Sequence, residues 1–132
     1  QPDEAGAAWD AELDTRTFCP AHRARLSASD LRRGALFEPV PGWAAPADLG
    51  AVTVPVLGLH GGDDPVSPLA AARARYAAAP HAELVSIAGG RHDALNDLDH
   101  RTAAATVVLF LERLRRDPGA APFAVPQDLS RD

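Results

Sequence analysis

The middle of the chain alternates between short apolar runs and stretches of turn-forming or helix-forming residues. Val54–Leu59 is apolar and rich in branched side chains, which is typical of a buried parallel strand. Turn formers end this run, and Leu69–Ala79 then consists of helix formers, with Ser67 as the capping residue and Pro68 at the first helical position. A second strand, Glu83–Ile87, ends at Ala-Gly-Gly. The pattern predicts one βαβ unit with two parallel strands.

The last periodic segment of the chain predicts a helix from about Arg101 to Arg116. Its apolar residues recur three and four positions apart and form one stripe: Val107, Val108, Phe110, Leu111 and Leu114. Such a stripe predicts that this helix packs on the sheet. Pro118 ends the pattern, and residues 118–132 are expected to form a loosely attached tail.

The first part of the chain predicts short helices and loops. Residues 1–18 are predicted to be loop with at most one helix. Pro20 suits the first turn of a helix that runs to about Leu26. Ser29 and Asp30 are capping residues for a further helix that extends to about residue 37.

A proline-rich connection, residues 38–53, joins these helices to the first strand. Trp43 in this connection is either a core anchor or the wall of a pocket. Packing in the core is the default expectation for a large apolar side chain.

Length and composition restrict the class of protein. The chain has 132 residues, whereas an eight-stranded α/β fold needs on the order of 240, so the chain is expected to be about half of such a fold. The net charge of -5 argues against nucleic acid or an anionic membrane as a partner. No apolar run approaches the ~18 residues of a membrane span. The single cysteine, Cys19, suits a reducing compartment and favours a cytoplasmic location.

Two side chains that can carry chemistry follow the two predicted strands at the same offset. Asp64 comes five residues after Leu59, and His92 comes five residues after Ile87. Both therefore lie beyond the carboxyl ends of parallel strands, where open α/β sheets place their active sites. Paired strands are only about 4.8 Å apart, so the carboxylate and the imidazole can meet. Asp64 would then orient His92 and leave its other ring nitrogen as a general base.

The segments LGLHGGDDPVSP and IAGGRHDALND carry a resemblance to a known family. Together they resemble the last third of an α/β-hydrolase fold serine hydrolase, in the branch of lysophospholipases and monoacylglycerol lipases. The resemblance implies that Asp64, rather than Asp63, is the acid of a Ser-His-Asp triad and that His92 is its histidine. It also implies three parts: 1–53 as the end of a helical cap region and the connection, 54–117 as the C-terminal βαβα of the hydrolase core, and 118–132 as a C-terminal tail.

The chain departs from this family at the nucleophile. Chain order in the fold is nucleophile, acid, histidine, so a G-x-S-x-G elbow belongs well before Asp64. None of the serines lies in such a pattern: Ser27, Ser29, Ser67, Ser86 and Ser130. Cys19, in Thr-Phe-Cys-Pro, is no elbow either. We therefore expect a hydrolase that needs no cofactor, acts on a small-molecule or lipid ester, and is inactive as this chain alone.

Other interpretations remain open at this stage. A truncated hydrolase domain could be a non-catalytic interaction half, which would pair with the missing N-terminal half or with itself through an open sheet edge. The same fold could also catalyse another reaction, such as acyl transfer or dehalogenation. Asp64 and His92 could form a structural salt bridge without catalysis. A metal site is a further alternative, because Asp93, Asp97 and His100 would share one face of a helix.

Overall fold

The computed structural model describes residues 4–44, 46–119 and 121–130, which form two parallel strands and four α-helices. In chain order the elements are α1 (Glu4–Arg16), α2 (Pro20–Ser27), β1 (Val56–Gly61), α3 (Leu69–Tyr76), β2 (Ala82–Ile87) and α4 (His100–Arg116). Short 3₁₀ turns lie at Ala35–Phe37, Gly42–Ala44, Leu49–Ala51 and Ala94–Asn96. No helix in the described ranges is long and apolar enough to cross a membrane.

The predicted βαβ unit is confirmed. β1 and β2 pair in parallel, from Val56 opposite Ala82 to Gly61 opposite Ile87. The first strand was predicted two residues too early, because Pro55 has no amide hydrogen for the ladder. The pairing starts at Val56, whose N–H donates to the carbonyl of His81 at 3.0 Å. The strand also continues through His-Gly, where the sequence predicted a turn, since both residues are paired with β2.

The two helices that follow the strands lie on opposite faces of the sheet. Tyr76 at the end of α3 covers Gly58, where an added Cβ would come 2.7 Å from the tyrosine ring. On the other face, Arg113 of α4 donates a hydrogen bond of 2.8 Å to Glu83 of β2. Two parallel strands with a helix on each face are consistent with a fragment of an α/β fold.

Helix α3 is shorter than predicted and has a different N-terminus. It ends at Tyr76 rather than at Ala79, and Pro68 occupies the N-cap position without a side-chain cap. Ser67 therefore does not cap the helix through its hydroxyl group. Its backbone takes part in the acid loop instead, which is described below.

Helix α4 has the predicted extent, but only part of its apolar stripe is covered. Ala103 is fully buried, whereas Val108 and Leu111 are 57% and 54% exposed. The prediction that these two side chains pack on the sheet is wrong. A described sheet of two strands is too narrow to cover the whole apolar stripe of the helix.

The N-terminal part is more helical at its start, and less helical afterwards, than the sequence predicted. Glu4–Arg16 is one continuous helix, while residues 1–3 lie outside the described residues. The helix expected up to residue 37 is replaced by a loop and one 3₁₀ turn, because Gly34 adopts a left-handed conformation with φ of 83°. Trp43 is 88% exposed, so the expectation of core packing is wrong. Trp9 is buried instead, and its indole N–H donates to Ser27.

The predicted tail is exposed over its described residues, 118–119 and 121–130. Its contact with the body includes Arg116, whose guanidinium carbon lies 5.1 Å from the centre of the Phe123 ring. Residues 120, 131 and 132 of the predicted tail lie outside the described residues.

Replacing Gly61 with alanine is expected to destabilise the fold. An added Cβ would lie 2.1 Å from the carbonyl oxygen of Arg91, which is backbone and cannot rotate away. We expect Gly61→Ala to lower the free energy of unfolding by roughly 1–3 kcal/mol, as overpacking does elsewhere. Urea denaturation measures the change. Gly42→Ala is the control, because nothing lies within 4 Å of its added Cβ, and an equal loss there would contradict the argument.

Candidate active site

The loops that follow β1 and β2 are joined directly by backbone hydrogen bonds. The amide of Gly62 donates to the carbonyl of Ile87 at 2.8 Å, and the amide of Asp63 donates to Gly90 at 3.0 Å. Gly89 makes the turn after β2 possible because it adopts a φ of 70°, a conformation that favours glycine. These contacts hold the two loops together at the carboxyl edge of the sheet.

The side chains of Asp64 and His92 meet at this edge. Oδ2 of Asp64 lies 2.9 Å from Nδ1 of His92, so the predicted contact is confirmed. The other oxygen, Oδ1, accepts from the backbone amides of Val66 at 2.8 Å and Ser67 at 3.0 Å. The Asp64 side chain is only 2% exposed. The Asp64 carboxylate therefore stabilises its own loop and also binds the histidine of the loop that follows β2.

This environment favours the ionised form of Asp64. Burial alone raises the pKa of its carboxyl, but the hydrogen bonds from the Ser67 amide, from His92 and from the Val66 amide together lower it below the ordinary value of 3.8. Asp64 is therefore negatively charged at neutral pH.

The hydrogen bond to an ionised carboxylate determines which nitrogen of His92 carries hydrogen. Asp64 can only accept, so Nδ1 of His92 must donate. In the neutral ring Nε2 then has a free lone pair. Nε2 has no hydrogen-bond partner in the part of the chain that the structure describes, and the side chain is 28% exposed. His92 thus presents an oriented, accessible base.

The sequence did not identify His60 as part of this site. Its Nε2 lies 2.6 Å from the carbonyl oxygen of Ser67, to which it must donate, and 3.5 Å from Oδ2 of Asp64. His60 therefore supports the acid loop from the strand side. The available signal was its place four residues before Asp64 at the end of a strand.

Asp63 does not take the place of Asp64. It is exposed, and its backbone rather than its carboxylate joins the loops, since its carbonyl accepts from Arg91 at 3.2 Å. The choice of Asp64 as the residue that contacts His92 is therefore confirmed in geometry.

The arrangement required by the metal alternative is not formed. Residues 94–96 make a single 3₁₀ turn and α4 begins only at His100, so residues 93–100 are not one helix. Asp93 contacts His22 at 2.9 Å, and Asp97 accepts hydrogen bonds from the backbone. Among the described residues no group of three or more His, Cys, Asp or Glu side chains is placed to hold a metal ion.

No nucleophile is joined to this pair within the described residues. None of the hydrogen bonds in those ranges connects a serine hydroxyl or the Cys19 thiol to His92. The geometry thus supplies an oriented base and its carboxylate partner. A reaction of the Ser-His-Asp type needs a hydroxyl from elsewhere.

Comparison with known proteins gives one result. A family model described as serine aminopeptidase, S33, matches residues 43–99, a range that contains both Asp64 and His92. This family has the α/β-hydrolase fold and generally consists of hydrolytic enzymes. The match supports the predicted resemblance at the level of the α/β-hydrolase family, but not the more specific lysophospholipase branch. No curated protein and no solved structure matches the chain.

The lowered pKa of Asp64 predicts how stability depends on pH. A carboxyl whose pKa is lower in the folded state stabilises that state above its unfolded value, and the contribution disappears as pH falls through the folded value. We therefore expect the free energy of unfolding to fall as pH drops below about 4, the ordinary carboxyl range. Urea denaturation at a series of pH values measures the slope.

Asp64→Asn should make this slope smaller, because asparagine does not titrate. Part of the slope should remain, since the pKa of Asp97 is also lowered by the hydrogen bonds that it accepts. Asp63→Asn is the matched control and is expected to keep the wild-type slope, since the Asp63 side chain is exposed. Equal slopes in the wild type and in Asp64→Asn would contradict the proposed charge of the buried carboxylate.

Proposed function

We propose that the chain is part of a serine hydrolase and supplies the acid and the histidine of its Ser-His-Asp triad. One observation carries this proposal: Oδ2 of the buried Asp64 lies 2.9 Å from Nδ1 of His92, while Nε2 has no partner in the described residues. This is the arrangement that a general base requires. The family match across both residues supports a hydrolytic reaction.

In the proposed mechanism His92 moves protons and Asp64 orients it. Nε2 takes the proton of a serine hydroxyl that sequence outside this chain supplies, while the serine oxygen attacks the carbonyl carbon. The negative charge of Asp64 stabilises the imidazolium that forms, which then protonates the leaving alcohol. In the second half His92 takes a proton from water while the water oxygen attacks the acyl carbon. The imidazolium then returns the proton to the serine oxygen as the bond between the acyl group and the serine breaks and the acid leaves. These steps require no cofactor.

The proposed substrates are carboxylic esters of the lysophospholipid or monoacylglycerol type. The residues LGLHGGDDPVSP and IAGGRHDALND support this choice through their resemblance to that branch. The matched family is described as serine aminopeptidase, so hydrolysis of an N-terminal aminoacyl amide is a second candidate. A cytoplasmic location is part of the proposal, and it is supported by the single cysteine.

The test joins this chain in frame to an upstream half that carries a G-x-S-x-G serine. The joined protein is expected to hydrolyse a short-chain aryl ester and a monoacylglycerol. His92→Ala should remove nearly all turnover. Asp64→Asn should lower kcat on the order of 10⁴-fold, the magnitude known for the same change in a serine protease, because the wrong tautomer of the histidine is then favoured. Initial rates under substrate saturation measure both effects.

Asp63→Asn is the matched control and is expected to retain most of the activity. A larger loss with Asp63→Asn than with Asp64→Asn would contradict the assignment of the acid. An aminoacyl anilide serves as a third substrate, and a preference for it would favour the aminopeptidase reaction. A folded joined protein that cleaves none of the three substrates would overturn the hydrolase proposal.

A second proposed function is that of an interaction half. Only one edge of β1 is paired in the described sheet, and that pairing is with β2. Val108, Leu109 and Leu111 of α4 are each more than half exposed. An unpaired strand edge and exposed apolar side chains each favour association with another chain. The partner would be the missing N-terminal half or a second copy.

We expect the isolated chain to self-associate. Sedimentation velocity over a range of protein concentrations measures this, and the weight-average mass should rise with concentration. Leu111→Glu should reduce the association by placing a charge on the exposed apolar surface, whereas Arg115→Glu, on an exposed polar position of the same helix, is the control for charge. A compact monomer at all concentrations would contradict the expectation.

A further inference from the structure

Asp97 is a buried carboxylate that the proposed mechanism does not use. It is 2% exposed and accepts hydrogen bonds from three separate stretches of the chain. Oδ1 accepts from the Phe18 amide at 2.8 Å, from the Thr17 hydroxyl at 3.1 Å and from the Leu98 amide at 2.9 Å. Oδ2 accepts from the Arg91 amide at 2.7 Å. Removal of this carboxylate would leave each of these donors without its hydrogen-bond partner, which is costly at a buried position.

The Arg91 contact places Asp97 next to the histidine of the candidate site. Three consecutive amides in the histidine loop are held: Arg91 by Asp97, His92 by the carbonyl of Thr15 at 3.2 Å, and Asp93 by the carbonyl of Arg16 at 2.8 Å. The backbone on both sides of the His92 side chain is therefore fixed by residues outside the βαβ unit.

The other side of Asp97 contacts the junction between α1 and α2. Thr17 is fully buried there, and its hydroxyl also accepts from the amide of Cys19 at 3.0 Å. Arg91 reinforces the connection, since its Nε donates to the carbonyl of Asp14 at 2.7 Å. One carboxylate thus links the junction of two N-terminal helices to the peptide that precedes His92.

We propose that Asp97 is a positioning residue, which holds the His92 loop against the α1–α2 junction so that the imidazole reaches Asp64. The proposal rests on the proposed function, because it assigns Asp97 a role through His92 rather than a contact with substrate. The ionised form suits this role. Burial raises the pKa of Asp97, but the bonds from Arg91, Phe18, Leu98 and Thr17 lower it below the ordinary value.

The substitution Asp97→Asn distinguishes the contacts of Oδ1 with the α1–α2 junction from the contact of Oδ2 with the Arg91 amide. An asparagine oxygen in the place of Oδ1 keeps the acceptor for the junction, while the amide nitrogen then faces the Arg91 N–H. Two donors cannot bond each other, so the substitution weakens the contact on the His92 side.

The test uses NMR of the 132-residue chain and does not require catalysis. The first readout is the downfield proton signal of the His92 Nδ1–H bonded to Asp64. The second is the pKa of the Asp64 carboxyl, which the His92 hydrogen bond helps to lower. In Asp97→Asn we expect loss of the downfield signal and a rise in the pKa of Asp64, although the two aspartates are not bonded to each other. His92→Ala should raise the pKa of Asp64 in the same way.

Two control variants distinguish a specific effect on the position of His92 from a general loss of stability. Thr17→Val removes one donor from Oδ1 and leaves the Arg91 contact, so it should lower stability while the His92 signal persists. Asp128→Asn makes the same chemical change in the exposed tail, where the carboxylate accepts from Ser130, and it should change neither readout. Loss of the His92 signal in Thr17→Val at a similar cost in stability would overturn the proposal.

The outcomes for the two proposals differ. A wild-type chain without the downfield signal would contradict the Asp64–His92 geometry on which the proposed function rests. A folded Asp97→Asn chain with the wild-type signal and the wild-type pKa of Asp64 would overturn only the positioning role. If Asp97→Asn does not fold, Asp97→Glu replaces it. Glutamate keeps the charge but displaces it by one methylene, and unchanged readouts in that variant would overturn the proposal.

Discussion

The candidate site depends on one buried carboxylate, that of Asp64. Its Oδ1 closes the loop after β1 by accepting two backbone amides, and its Oδ2 binds the imidazole of the next loop. Burial of an unpaired carboxylate would be costly, so the three donors are required for the charge to remain in this place. The carboxylate that stabilises the loop through Oδ1 therefore also orients His92 through Oδ2.

The histidine is held in a different way from the acid. Asp64 is positioned by its own loop and by His60 from β1, all within the βαβ unit. His92 depends on contacts with α1, on the α1–α2 junction and on Asp97. The N-terminal helices therefore contribute contacts that hold the His92 loop in place, in addition to any role as part of a cap.

The surface of the chain shows where its packing is incomplete. The sheet in the described residues has two strands, and Val108, Leu109 and Leu111 of α4 are exposed. Packing of a helix on a wider sheet would cover such residues. The two proposed functions interpret this surface differently: it contacts the half that supplies the nucleophile, or it is itself the binding surface.

The sequence by itself determined the secondary-structure elements that depend only on neighbouring residues. The two strands, the intervening helix, the final helix and the helix at Pro20 follow from periodicity and from turn residues, and matched offsets after the strands were enough to predict the contact of Asp64 with His92. The sequence also determined that no G-x-S-x-G elbow lies in these 132 residues.

Only the tertiary structure decided the features that depend on contacts distant in sequence. Gly34 interrupts the helix expected up to residue 37, Trp43 is exposed, and part of the α4 stripe is uncovered among the described residues. His60 and Asp97 belong to the surroundings of the site because the fold brings Ser67, Arg91 and the α1–α2 junction to them. Periodicity reports which face of an element is apolar, whereas the partner of a buried polar group depends on which distant segment the folded chain places beside it.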